Sequence, residues 1–376
     1  MVMKNKKEVI KFLRLIIVMI ISAFMGYLIG KYLLVGVSQS NVSPIVMLSV
    51  LVPIFIFVIG WHEGGHALAG IKVGFDFKMY VVGPFMWEKE NGKWVFKWNK
   101  DVNKAGGLVL CLPRDTTDLS KKFSIYAAAG PLSSLFLSIL LFGIYGLGLI
   151  PAEQETKKFI FVVTAFLSLL IFIVTAIPSK MGGFYSDGAR VLRILSGGDT
   201  AKFEILMMSI IASTSSGVRP KLLNKSQLEE MEEIAVRLNE PFRVYIHSFF
   251  YQVALDNADY VKAERHLTDY INQADEIPEG IRNSVWLDAT FFYAYVKKNL
   301  HEADKYWQMF KPVAMIPKAQ IFATEAVLSY LKGDSAMALA KIENSLAEIP
   351  NMIDKGVGVA LRERLMMLKI TIENQI

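Results

Sequence analysis

The chain has 376 residues, 53% of them hydrophobic, with a mean hydropathy of +0.36 and a formal net charge of +6. A single cysteine, Cys111, excludes an intrachain disulfide framework and any cysteine-built metal site. Residues 1–198 carry 21 Lys+Arg against 11 Asp+Glu and residues 199–376 carry 20 against 24, so the basic excess belongs to the apolar half and is no signal for nucleic acid.

Four apolar stretches approach the ~20 residues that cross a hydrocarbon core: Phe12–Leu34, Ile45–Gly70, Phe123–Ile150 and Phe159–Ile177. Lys4, Lys6, Lys7, Lys11 and Arg14 precede the first. That stretch is long and lacks a small-residue cleavage site, so it reads as an uncleaved anchor with a cytoplasmic N-terminus. Its Gly26-x-x-x-Gly30 pattern is a weak signal for helix contact. After a short external loop, the second span runs inward. Its stretch Ile45–Gly60 has no charge and leads into His62-Glu63-Gly64-Gly65-His66.

Ionisable groups at that depth face a protein interior or a cavity and mark function. If the helix continues through them, His62 and His66 lie at i and i+4 on one face, where both ligate one metal. Glu63 stands beside them as a general base for an activated water. The pattern points to a zinc-dependent hydrolase whose active site lies within the membrane; a polar helix end packed at the interface is the bland alternative.

Segment 71–122 is lysine-rich and falls on the cytoplasmic side. Met79–Val82 and Trp94–Trp98 flank Asn91-Gly92, which predicts a β-hairpin, and a further apolar strand, Leu108–Leu112, follows Gly106-Gly107. Such a hairpin either pairs with an extended substrate or lies on the membrane with Trp87, Trp94 and Trp98 as interfacial anchors. Cys111 reads as a small apolar residue. The third span carries Ala129-Gly130-Pro131-Leu132 near its start, where Gly130-Pro131 also suits a kink or a first turn. A short external loop, Pro151–Lys158, leads to the fourth span, which returns to the cytoplasm.

A catalytic zinc site usually takes three protein ligands and an open position. The remaining histidines, His247, His266 and His301, all lie in the second half. The best candidate for a third ligand is Asp187, just after the fourth span. Gly182, Gly183 and Gly188 allow close approach or a sharp turn there, before a helix from about Ala189. Asp187 also suits the N-cap of that helix.

From Ser226 onward the pattern is helical. Three stretches, from Tyr251, Tyr293 and Leu328, each pair an apolar helix end with a turn at Asn257, Asn299 or Gly333. An amphipathic helix containing Ala263, Ala303 or Ala338 follows each turn. The turn offsets, 42 and 34 residues, lie near the tetratricopeptide period. Such an array presents a groove for a protein partner; a plain helical bundle is the alternative. The stretch Ile205–Ala212 is too short to span and is expected to lie on the membrane or to join the halves.

His62-Glu63-Gly64-Gly65-His66, Ala129-Gly130-Pro131-Leu132 and Asp187-Gly188, in this order at successive spans, resemble the site-2 proteases, which are intramembrane zinc metalloproteases. The resemblance covers about residues 40–195. It implies His62, His66 and Asp187 as Zn2+ ligands, Glu63 as general base, a membrane-protein substrate and a site opening toward the cytoplasm. Thr175-Ala176-Ile177-Pro178 stands where the family often has Asn-Pro, and Ser133 and Ser134 where it often has Asn. Substrate-positioning residues are therefore not carried over.

The expected architecture is mainly α. A polytopic membrane domain over 1–198 has about four spans and a small β-hairpin region between spans two and three. A soluble, all-α, tetratricopeptide-like domain over 199–376 follows. Lysine-rich and cysteine-poor, the chain suits a bacterial cell membrane, with its N-terminus and its C-terminal domain cytoplasmic. Two other readings are a membrane zinc protease with glutamate as third ligand, and a non-catalytic membrane scaffold whose helical domain recruits partners.

Overall fold

The computed structural model describes residues 43–90, 92–99, 106–181, 184–240, 243–277, 279–313 and 316–375. The first expected span, Asn91 of the expected turn and the glycines at 182 and 183 lie outside them. The described residues are mainly helical, with thirteen α-helices and a small antiparallel sheet. Three helices are long and apolar enough to cross a membrane: Leu48–Lys72, Leu119–Gly146 and Glu155–Ala176. They match the second, third and fourth expected spans. The last two begin four residues before their apolar runs, because the lysines at 121, 122, 157 and 158 are taken into the helices.

Helix α1 (Pro44–Lys72) carries the uncharged run and continues without a break through the His-Glu-Gly-Gly-His segment. The sheet follows, in the order β3-β2-β1-β4, built from β1 (Asp76–Val82), β2 (Phe85–Glu90), β3 (Lys93–Trp98) and β4 (Leu108–Leu112). The expected hairpin is corrected here. Met79–Val82 pairs with Phe85–Glu88 across Gly83-Pro84, and Trp94–Trp98 pairs with β2 rather than with β1. The cause is an unread strand: Phe85–Glu90 mixes charge with aromatics and fits between two turns. Gly83 (φ 53°) and Gly92 (φ 78°) both occupy the left-handed region that these tight turns demand. Leu108–Leu112 is a strand as expected and pairs antiparallel with β1.

Helices α2 (Leu119–Gly146) and α3 (Glu155–Ala176) come next, then a two-residue β-ladder, β5 (Lys180–Met181) with β6 (Phe184–Tyr185), and helix α4 (Asp187–Leu195). The chain divides into two compact units. One comprises the described residues up to Val58 together with Ser134–Ile171. It is held by Ile54, Val58 and Val163 and by a hydrogen bond from Ser168 Oγ to the Ser134 carbonyl (2.7 Å). The other comprises Ile59–Ser133 and Phe172–Ile376. In that unit Ala67, Phe75, Val109, Cys111, Phe123 and Ile194 form one core, which gathers the end of α1, the sheet, the start of α2 and α4. Cys111 is a free thiol in that core, pushed up to about 12 by burial, with Asp76 adding to the effect. It packs as the small apolar residue expected.

The helical half begins at α5 (Gly198–Ser216). Of the two expectations for its apolar stretch, the joining one fits: Phe203, Leu206 and Ile210 pack with Leu228, Met231 and Ile234 of α6 (Lys225–Leu238) and with Ile246 and Phe250 of α7 (Arg243–Asp256). Three helical hairpins follow: α7 with α8 (Tyr260–Asn272), α9 (Glu279–Tyr295) with α10 (Leu300–Met309), and α11 (Lys318–Leu331) with α12 (Ser335–Glu348). Helix α13 (Lys355–Glu373) completes the array. Ala263, Ala303 and Ala338, the small residues of the expected repeat, are fully buried. Each hairpin turn places one residue at positive φ (Ala258, Lys298, Gly333) and caps the next helix with the following side chain (Asp259, Asn299, Asp334). The repeat is thus legible as a repeated turn chemistry, with the left-handed residue at 258 and 298 rather than at the asparagines.

Candidate metal centre

His62 and His66 are one helical turn apart on α1, and both are buried. Their Nε2 atoms lie 3.3 Å from each other. Asp187, the first residue of α4, brings Oδ2 to 3.4 Å from each of them. All three residues sit within one compact unit. Zinc binds such donors at about 2.0–2.2 Å, so a tetrahedron around it has edges of about 3.3–3.6 Å. The three observed separations match those edges, and two imidazoles with one carboxylate are a donor set that zinc accepts.

The imidazoles are held by the backbone of α2. His66 Nδ1 donates to the Tyr126 carbonyl at 2.8 Å, leaving Nε2 as the lone-pair nitrogen. His62 hydrogen-bonds the Gly130 carbonyl, one turn further along α2. Gly130 is required by close approach, because a β-carbon there would overlap the His66 ring. Gly65 packs against Ala129 and Ser133 for the same reason. Trp61 Nε1 donates to the Ser133 carbonyl (2.8 Å), and Tyr80 of β1 donates from its hydroxyl to the Gly60 carbonyl (2.5 Å). The Ala-Gly-Pro-Leu segment therefore supplies carbonyls and space rather than a ligand.

Asp187 is placed by its neighbour. Ser186, not Asp187, is the N-cap of α4: its side chain accepts from the Ala189 N–H (3.3 Å) and from the Ser179 N–H (3.0 Å) and donates to the Ile177 carbonyl (2.8 Å). The helix begins at Asp187 rather than near Ala189, and the Asp187 carboxylate is free to face the imidazoles. Gly188 packs so tightly on the Ala176 backbone that no side chain fits. Burial would raise the Asp187 carboxyl, but without a metal the His62 and His66 rings, in their protonated form, outweigh it and hold the group well below the usual carboxylate range.

Glu63 follows His62 on the same helical turn. Its carboxylate accepts a backbone hydrogen bond from Val109 of β4 and packs on Gly107 (φ 102°), where a side chain would collide with it and with Ile59. The Val109 carbonyl is also taken, by the Tyr126 hydroxyl at 2.9 Å. At Val109, then, β4 holds the Glu63 carboxylate and the orienting helix in place. Sequence reasoning missed Tyr126, Gly107, Ser186 and Val109, whose contributions are backbone groups, a hydroxyl or absent side chains.

Helix α4 is anchored in turn by Arg193. Its Nε donates to Glu204 (2.5 Å) and its Nη2 to Glu240 (2.6 Å), while Tyr185 donates to the second oxygen of Glu240 (3.0 Å) and lies beneath the guanidinium. Both arginine partners are largely buried. Compared with known proteins, the chain matches no family model, no curated protein and no solved structure.

Proposed function

We propose that this chain is an intramembrane zinc metalloprotease of the site-2 type, hydrolysing peptide bonds of membrane-protein substrates. One observation carries the reading: three donor atoms stand at tetrahedral-edge distances from one another, with a carboxylate on the adjoining position of the same helical turn. His62, His66 and Asp187 would hold Zn2+, which when bound supplies Lewis acidity and makes water a nucleophile at neutral pH. Glu63 takes the proton of the attacking water on its carboxylate and hands it to the departing amine nitrogen. The Val109 N–H holds that carboxylate in orientation, and the Tyr126 and Gly130 carbonyls keep both imidazoles turned inward. Three membrane-length helices support a bilayer location.

The test uses full-length chain purified in detergent and a membrane-spanning model peptide. Glu63→Gln should lower cleavage by about 10²–10⁴-fold, the usual share of a general base, with zinc content unchanged. Asp187→Ala should remove one equivalent of zinc from a folded chain. Cleavage undiminished in Glu63→Gln would remove Glu63 from the mechanism. Zinc content unaffected by Asp187→Ala would overturn the ligand set and return the chain to the scaffold reading.

A further inference from the structure

The helical half contains a second grouping of the same donor types, which the protease reading leaves unused. His247 lies on α7, and His266 and Asp269 lie on α8 three residues apart, on one face. One donor atom from each lies within 4.8 Å of the other two. His247 Nδ1 and His266 Nδ1 are both buried, and neither has a hydrogen-bond partner. A buried polar atom without a partner is costly, so two of them on neighbouring imidazoles call for a ligand.

The surroundings suit a cation. The Gln273 side-chain amide nitrogen lies 3.1 Å from His247 Nε2. With the amide turned so that its oxygen accepts, His247 carries its proton on Nε2 and offers Nδ1 as a lone pair, the outer contact typical of a metal-bound imidazole. The His266 ring stacks on Phe250, with centroids 5.0 Å apart and planes within 16°, which fixes its plane. All three donors lie within 4.8 Å of one another, close enough to share one ion.

We propose that His247, His266 and Asp269 form a second metal site, for a borderline divalent cation such as zinc, which ties α7 to α8 in the first helical hairpin. Two imidazoles and a carboxylate favour zinc, cobalt or nickel over calcium and magnesium, which take oxygen ligands. The site is independent of the protease reading, since it shares no residue with the first triad.

Cobalt is the probe, because its visible absorption reports the ligand set. Metal-stripped, full-length chain in detergent is titrated with Co2+ as wild type and as Asp187→Ala, which disables the first triad. The site requires a cobalt equivalent that persists in Asp187→Ala and disappears in Asp187→Ala combined with His266→Phe or with Asp269→Asn. In an otherwise intact chain, His266→Phe should lose one equivalent and leave the other. No cobalt bound by Asp187→Ala with unchanged circular dichroism would overturn the proposal, as would a spectrum indifferent to both added substitutions. Wild-type stoichiometry gives a reading that needs no variant: two equivalents agree with the proposal, and one removed entirely by Asp187→Ala refutes it.

Discussion

The two triads share a donor set, two histidines and one aspartate, but the protein holds them in different ways. In the first, the donors stand 3.3–3.4 Å apart, backbone carbonyls orient both imidazoles, and missing side chains at Gly65, Gly130 and Gly107 let whole helices and a strand close in. In the second, both imidazoles keep a buried Nδ1 without a partner, and a rotatable amide and an aromatic ring do the orienting. A backbone-held set is in place before any ion arrives and tolerates the open position that chemistry requires. A set held by side chains relies on the ion to gather it, and there metal binding is coupled to the order of the fold.

The difference can be broken most forcefully at Arg193. Replacing it with alanine leaves Glu240 buried without its cation and should cost about 3–5 kcal/mol of stability, read as a fall in Tm. Because Arg193 anchors the helix that begins at Asp187, the first triad should shed zinc while the second keeps its cobalt. An unchanged Tm would show that the network does not anchor α4.

A smaller and more local effect is expected from Gly130→Ala. The added methyl overlaps the His66 ring and should weaken metal binding at the first triad by roughly 10–100-fold, as disturbed outer contacts do. Cobalt affinity at the second triad should not move. Equal affinity at the first triad in wild type and variant would mean that the close approach is not what positions the imidazole.

The smallest effect belongs to the helical half alone. Burial pushes the Asp288 carboxyl on α9 up to about 7 from its ordinary 3.8, although Arg364 pulls it partly back. A carboxyl raised on folding favours the fold while protonated, so its contribution is complete below about pH 4 and is lost as pH rises through about 7. Asp288→Asn should therefore raise Tm at about pH 8 and change little at about pH 4. A rise of equal size at both would trace the effect to packing rather than to charge.

Much of the first site was legible because it is chemically dense. His62, Glu63 and His66 share one helical turn in an uncharged run, and Asp187 was the best remaining ligand once the histidines beyond residue 198 were set aside. Three of the four expected spans were legible for the same reason, as helices long and apolar enough to cross a membrane. What stayed hidden was structure carried by backbone groups. Nothing in Tyr126 or Val109 as residue types announces that a carbonyl or an N–H is the part used. Strand β2 was lost because Glu88, Lys89 and Glu90 break the apolar alternation, although Glu88 and Glu90 pair with Lys97 across the β2–β3 ladder. His247 and His266 were visible but nineteen positions apart, and only the packing of α7 on α8 brings them together.

Ser186 has a consequence for how the first site can change. Because the serine terminates the helix, the carboxylate beside it carries no structural duty at the cap. In the proposed metal site, position 187 is therefore a place where ligand identity can be exchanged while the start of α4 stays intact. Metal preference can drift there by single substitutions, while Ser186 and Gly188 on either side stay fixed. Retuning this centre for a different ion would begin at that one residue.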